Sequence, residues 1–137
     1  MEILVTLKQL GAKRDRFGAV PFPLENTPNT VGELIAGAVR TCVSAYRTHA
    51  VQAAHPLTSD QIRQMAEIGK IAFGGHYNPA DADESEAVRT ALEAYRDGLF
   101  RIFINDAEAG AADAPVYLHE HDTVMFLRLT FLAGRMW

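Results

Sequence analysis

Two histidines near the C-terminal end stand at a spacing that could bind a metal ion. His119 and His121 are separated by one residue, and each is followed by a carboxylate, Glu120 or Asp122. In a β-strand this spacing directs both imidazoles to one face, as a metal site requires. The sequence offers no evident third ligand nearby, and four polar residues in a row are also typical of a surface turn. Both interpretations of His119 and His121 stay open, and we predict no cofactor for this chain.

A glycine pair and a lone cysteine are the other residues with chemical potential. Gly74-Gly75 permits positive φ angles, so this segment predicts either a helix-to-helix turn or a ligand-binding loop. Cys42 lies among apolar residues at helical spacing, which predicts a buried and unreactive thiol. A single cysteine cannot form a disulfide within the chain, and this favours a reducing compartment, the cytoplasm.

Length and composition limit the classes of protein to which the chain can belong. The 137 residues are the size of one domain, and a hydrophobic content of 48% argues against disorder of the whole chain. Thirteen basic residues against 17 acidic ones give a net charge of −4, which argues against a nucleic-acid partner held by bulk charge. No apolar run approaches the roughly 18 residues of a membrane span, so we predict no membrane partner.

Hydrophobic alternation predicts five strands, separated by turns and helices. They lie at residues 2–8, 17–24, 99–104, 116–118 and 123–132. Pro21 and Pro23 cannot donate ladder hydrogen bonds, so the second strand belongs at a sheet edge. The last strand is apolar on both faces apart from Arg128 and two threonines, which is typical of a central strand. The alanine-rich segment 105–115 is predicted to be a loop.

Helical signals occupy the middle of the chain. Thr30-Val31-Gly32-Glu33 is a capping box, and an apolar stripe at helical spacing follows it as far as Tyr46. Residues 58–68 resemble a second helix start. Acidic residues at 81–86 favour the start of a third helix, because the helix dipole stabilises negative charge there, and Gly98 is predicted to cap its end.

The order of these elements resembles the β-grasp fold of ubiquitin-like proteins. The resemblance is nearest to the small sulfur carriers, such as the small subunit of molybdopterin synthase. It rests on the succession of Phe103-Ile104-Asn105-Asp106, Val116-Tyr117-Leu118 and Glu120-His121-Asp122-Thr123-Val124. It implies an α+β domain in which a mixed sheet grips one long helix and the first and last strands lie parallel at the centre. We therefore expect a single domain, 1–137, with a β-grasp core at 1–49 and 98–137.

The chain departs from that family in two places. Residues 50–97 are predicted to be an inserted helical pair. Sulfur carriers and ubiquitin-type modifiers act through a tail ending in Gly-Gly, whereas this sequence ends Leu132-Ala133-Gly134-Arg135-Met136-Trp137. Trimming after Gly134 would expose Ala133-Gly134 as a modifier terminus; otherwise Trp137 is expected to pack against the domain.

A single helix covers only one face of a β-grasp sheet, so the other face needs an explanation. Alternation assigns several apolar residues to that open face: Leu4, Leu99, Phe103, Val124 and Phe126. Apolar patches of this kind usually mark interfaces. Either the helices of 50–97 fold over this face, which requires no second molecule, or a protein partner covers it, in the simplest case a second copy of the chain.

These observations favour a non-enzymatic, ubiquitin-like protein–protein interaction module. Its expected interaction residues are those of the open face and the tail: Leu4, Phe103, Phe126, Ala133, Gly134 and Trp137. One alternative is a protein modifier or sulfur carrier activated after trimming to Gly134. Another is a small metal-dependent enzyme or binder that uses His119 and His121.

Overall fold

The described part of the chain contains a five-stranded sheet and two helices with defined bounds, and residues 64 and 68 are also helical. A computed structural model of the protein describes residues 1–9, 19–51, 64, 68 and 84–129. Within these residues the elements are β1 (Glu2–Gln9), β2 (Val20–Pro23), α1 (Val31–Val51), α2 (Glu84–Arg96), β3 (Phe100–Ile104), β4 (Ala107–Glu108) and β5 (Thr123–Arg128). The chain is therefore a small α+β domain, as the sequence predicts.

The sheet is mixed, and its strand order is β2-β1-β5-β3-β4. β1 and β5 are parallel, with Leu4 beside Thr123 and Gln9 beside Arg128, while the other neighbouring strands are antiparallel. The last strand of the described chain thus lies at the sheet centre next to the first. That placement confirms the prediction drawn from the apolar run after residue 123. β2, with its two prolines, lies at an edge as expected.

One face of the sheet, here called the inner face, forms the floor of the core. Strand neighbours share a face, so the registers Val5–Val124, Leu7–Phe126 and Ile102–Phe126 place these residues on one side. All of them are at most 1% exposed. Arg128 lies on the same side of β5 as Val124 and Phe126 and is also buried. This burial lowers the pKa of its guanidinium.

Both helices cover the inner face. The buried side of α1 is fully enclosed and belongs to the same hydrophobic cluster as β1 and β5; it consists of Val31, Leu34, Ile35, Ala38, Val39, Cys42 and Val43. α2 adds Ala87, Ala91 and Ala94 to that cluster, and the ring of Tyr95 lies 5.4 Å from that of Phe100. α2 therefore does not cover the opposite face, although the sequence leaves that possibility open beside a protein partner. Cys42 is buried and unbridged, as predicted.

The predicted ends of the two helices are confirmed in atomic detail. Thr30 Oγ1 accepts the amide of Glu33 at 3.1 Å, and the Glu33 carboxylate accepts the amide of Asn29 at 2.9 Å. At the end of α2, Gly98 has φ +76°. Its amide donates to Tyr95 O, and the amide of Leu99 donates to Ala94 O, which is the Schellman pattern.

Two local predictions for residues 105–118 are wrong. Asn105 and Asp106 both have positive φ, so they form a tight hairpin turn that lets Ala107–Glu108 pair with β3 as β4, inside the predicted loop. Residues 116–118 are not a strand, because backbone groups in this stretch form hydrogen bonds with residues at the start of α1. The amide of Val116 donates to Asn29 O, and Ala114 O accepts the first amide of α1, from Val31. This segment therefore provides a hydrogen-bond acceptor for the first backbone amide of α1 and does not extend the sheet.

Candidate interaction surface

The second face of the sheet, here called the outer face, carries apolar side chains that are partly exposed. Leu4, Phe103, Met125 and Leu127 alternate with buried neighbours on their strands, so they point away from both helices. Among the described residues, these four belong neither to the core cluster nor to the partly buried side chains packed against it. The outer face is thus a separate apolar surface.

Strand register arranges the outer face in rows that run across the strands. The first row is Lys8, Leu127 and Arg101; the second is Thr6, Met125, Phe103 and Glu108; the third is Pro21, Leu4 and Thr123; the fourth is Pro23 and Glu2. Lys8 and Arg101 are exposed, so the first row is basic at its two ends. The two middle rows hold the apolar residues Pro21, Leu4, Met125 and Phe103, and the last row carries the acidic Glu2. Charge therefore changes sign along the strands of this face.

The structure corrects one of the interaction residues expected from sequence. Phe126 is fully buried on the inner face, where its ring lies 6.1 Å from that of Phe100. Val124 is buried beside it, and Leu99 packs against the same core. Leu4 and Phe103 do lie on the outer face, while Met125 and Leu127 complete it. On β5, Thr123 alternates in the same way as Met125 and Leu127 and is exposed. This polar residue is the sequence signal that could have assigned Met125 and Leu127 to the outer face.

His119 and His121 lie in the turn that leads into β5. His121 has φ +65°, its amide donates to Glu2 O at 2.8 Å, and its Nε2 lies 3.2 Å from Glu2 Oε1. His119 Nδ1 lies 3.7 Å from a different carboxylate oxygen, Oδ2 of Asp122. The two imidazoles therefore face separate carboxylates. This is the turn geometry that the sequence left open as one of its two interpretations.

The carboxylate of Asp122 organises this turn. Its Oδ2 accepts the backbone amide of His119 at 2.8 Å, and this hydrogen bond is the main reason that the pKa of Asp122 is lowered. The backbone carbonyl of Asp122 accepts the amide of Leu4 at 2.9 Å, so the turn is tied to β1. Within the part of the chain that the structure describes, no group of three or more His, Cys, Asp or Glu side chains could hold a metal ion.

A groove of about 830 Å³ runs beside α1, and the sequence gives no sign of it. Its wall includes the small residue Gly37, whose added Cβ would lie 3.4 Å from Leu24, and the hydroxyl of Thr41. That hydroxyl lies 2.7 Å from Pro23 O and 3.0 Å from Gly37 O, while Arg40 lies 3.5 Å from Glu84. Thr41, Arg40 and Glu84 in this wall are thus engaged in contacts within the protein.

Several expected features fall outside the described residues. These are the Gly74-Gly75 loop, the helix start at residue 58 and the tail residues Ala133, Gly134 and Trp137. The roles assigned to them stay predictions. The same holds for the cytoplasmic location, although none of the helices in the described ranges is long and apolar enough to cross a bilayer.

Comparisons with known protein families, with curated protein sequences and with solved structures found no match to this chain. The class that the fold itself defines is a small α+β domain with a mixed, open five-stranded sheet. The functional argument therefore rests on the surfaces of this sheet.

Proposed function

We propose that this chain is a ubiquitin-like β-grasp protein that acts as a non-enzymatic protein–protein interaction module. The strand order β2-β1-β5-β3-β4 with a parallel central pair supports the β-grasp assignment, because it is the arrangement that the resemblance implies. The observation that carries the function is the outer face, with its partly exposed apolar centre at Leu4, Phe103, Met125 and Leu127.

The physical reason is the free energy of leaving this surface in water. Burial of apolar surface stabilises an association by about 25 cal/mol per Å² before the entropic costs of binding are subtracted. Four apolar side chains in adjoining rows, bordered by Lys8, Arg101 and Glu2, form the apolar centre and charged rim that protein interfaces share. The proposal includes no catalytic residue.

Photo-crosslinking in the native host tests this proposal. A photoreactive phenylalanine analogue at position 103 keeps the size and apolar character of the side chain. The matched control places the same analogue at Tyr117, an aromatic residue outside the strands that is 82% exposed. We expect discrete crosslinked species from position 103 and none from position 117. Equal crosslinking at both positions, or none at 103 in a folded protein, would overturn the proposal.

Metal analysis of the purified protein tests the alternative in which His119 and His121 bind a metal ion. This alternative predicts that the purified protein binds about one equivalent of zinc and that His121→Ala abolishes this binding. The present proposal predicts the same low metal content in both proteins, because the two imidazoles face separate carboxylates and no group of three or more potential ligands occurs among the described residues. Stoichiometric zinc lost in the His121→Ala variant would contradict it.

A further inference from the structure

We infer that the occupant of the outer face is a second copy of this chain, docked face to face and with its strands antiparallel to those of the first. This inference rests on the proposed function and specifies its partner. The observation behind it is the distribution of charge along β1, whose outward side chains run from acidic Glu2 through Leu4 and Thr6 to basic Lys8.

Consider a two-fold axis that lies between the outer faces of the two copies and runs perpendicular to the strands. It makes the strands of the second copy antiparallel to those of the first. It keeps each strand opposite its own copy, so β1 faces the second copy of β1. Lys8 of one chain then lies over Glu2 of the other. By symmetry, Glu2 of the first chain lies over Lys8 of the second. The two middle rows, which hold Phe103, Met125 and Leu4, face each other between these charged ends. The outer face is thus complementary to itself in this orientation.

The other two-fold orientation lacks this complementarity. An axis parallel to the strands preserves strand direction, so rows of the same kind meet. Lys8 would then lie level with the second Lys8, and Glu2 with the second Glu2, and like charges across an interface oppose association. Charge therefore selects the antiparallel arrangement over the parallel one.

The dimensions of the face predict a weak dimer. Five strands at about 4.8 Å spacing and about six residues of strand length give a face of roughly 20 by 20 Å. The two copies together would bury about 800 Å², which is below the roughly 1,200 Å² of stable interfaces, so the dimer is expected to be transient, with a dissociation constant on the order of 100 µM. Glu108, 2.9 Å from Arg101, reduces the net charge at the basic end and keeps the electrostatic contribution modest.

Sedimentation equilibrium of the full chain and its charge variants tests the inference. Lys8→Glu alone and Glu2→Lys alone should each weaken the dimer about fivefold or more, because two attractive contacts become repulsive. The exchange of both charges in one chain, Lys8→Glu with Glu2→Lys, should restore association close to the wild-type level. Phe103→Ser should weaken it about tenfold or more. Circular dichroism must show that each variant is folded.

Three results would overturn the inference. They are a wild-type chain that stays monomeric up to about 1 mM, single charge variants that dimerise like wild type, and a double exchange that fails to restore a dimer lost in the single variants. The photo-crosslink at position 103 separates this failure from failure of the proposed function. A crosslink to a different protein would leave the interaction module standing with another partner, whereas an absent crosslink would remove both.

Discussion

The inner and outer faces of this sheet are built from the same strands but are fixed by different forces. On the inner face, Val5, Ile102 and Phe126 are fully enclosed by two helices, so their position follows from burial. On the outer face, Leu4, Phe103 and Met125 remain partly exposed within the described structure. One face is thus fixed by the core, and the other carries the apolar surface on which the proposed association depends.

The adjacent residues Phe126 and Met125 give the largest test of this contrast. Phe126→Ala should lower the free energy of unfolding by about 3–5 kcal/mol, because it leaves a cavity in the core. Met125→Ala, one position away on the opposite face, should cost less than about 1 kcal/mol. Chemical denaturation at low protein concentration measures both. Equal losses would show that the two faces are buried alike, contrary to the account.

Gly98→Ala tests the cap that ends α2 over the inner face. An alanine at φ +76° is strained by about 1–2 kcal/mol, although an added Cβ there would meet no atom within 4 Å. The expected loss in stability is therefore purely conformational, and the dimerisation constant should not change. A Gly98→Ala protein as stable as wild type would refute the Schellman cap as a source of stability.

The capping box at the start of α1 should contribute less. Thr30→Ala removes the acceptor for the Glu33 amide and should destabilise the fold by about 1 kcal/mol. Thr30→Ser is the matched control, because it keeps the hydroxyl and should be nearly neutral. Thermal unfolding of the two variants gives the comparison, and an equal loss in both would show that the hydroxyl is not the stabilising group.

The smallest effect is expected from the turn at the acidic end of the outer face. Asp122 has a lowered pKa in the folded state, so its charge adds stability above its unfolded value of 3.8, and this stability is lost as pH falls through the folded value. Asp122→Asn keeps the acceptor for His119 but not the charge. It should cost about 0.5 kcal/mol at neutral pH, and the difference from wild type should vanish in acid. A difference that grows below pH 3.8 would reverse the assigned sign.

The sequence predicted local signals better than it predicted which face each residue occupies. The capping box at Thr30 and the glycine cap at Gly98 depend on nearby residues alone, and both are confirmed. The central position of β5 followed from its long apolar run. The same run does not show which side of β5 faces the core, because both sides are apolar. Arg128, normally a marker of the solvent side, points inward. Phe126 was therefore assigned to the wrong face.

Other features depend on contacts between distant segments. Residues 116–118 alternate like a strand, but the amide of Val116 donates to Asn29 O at the start of α1. Alternation places Glu2 and Lys8 on the same side of β1, but the structure is needed to show that this side is the one away from the helices, on which the inferred pairing depends. Alternation indicates an open apolar face, and the structure is needed to identify its members, Met125 and Leu127 among them.

A dilution series followed by amide nuclear magnetic resonance tests the central claim most directly. Between about 1 mM and about 10 µM the account predicts shifts that depend on concentration at Leu4, Phe103, Met125 and Leu127, with none along the buried side of α1. An unchanged spectrum, or shifts confined to α1 and α2, would contradict the claim that copies of this chain meet through the outer face of the sheet.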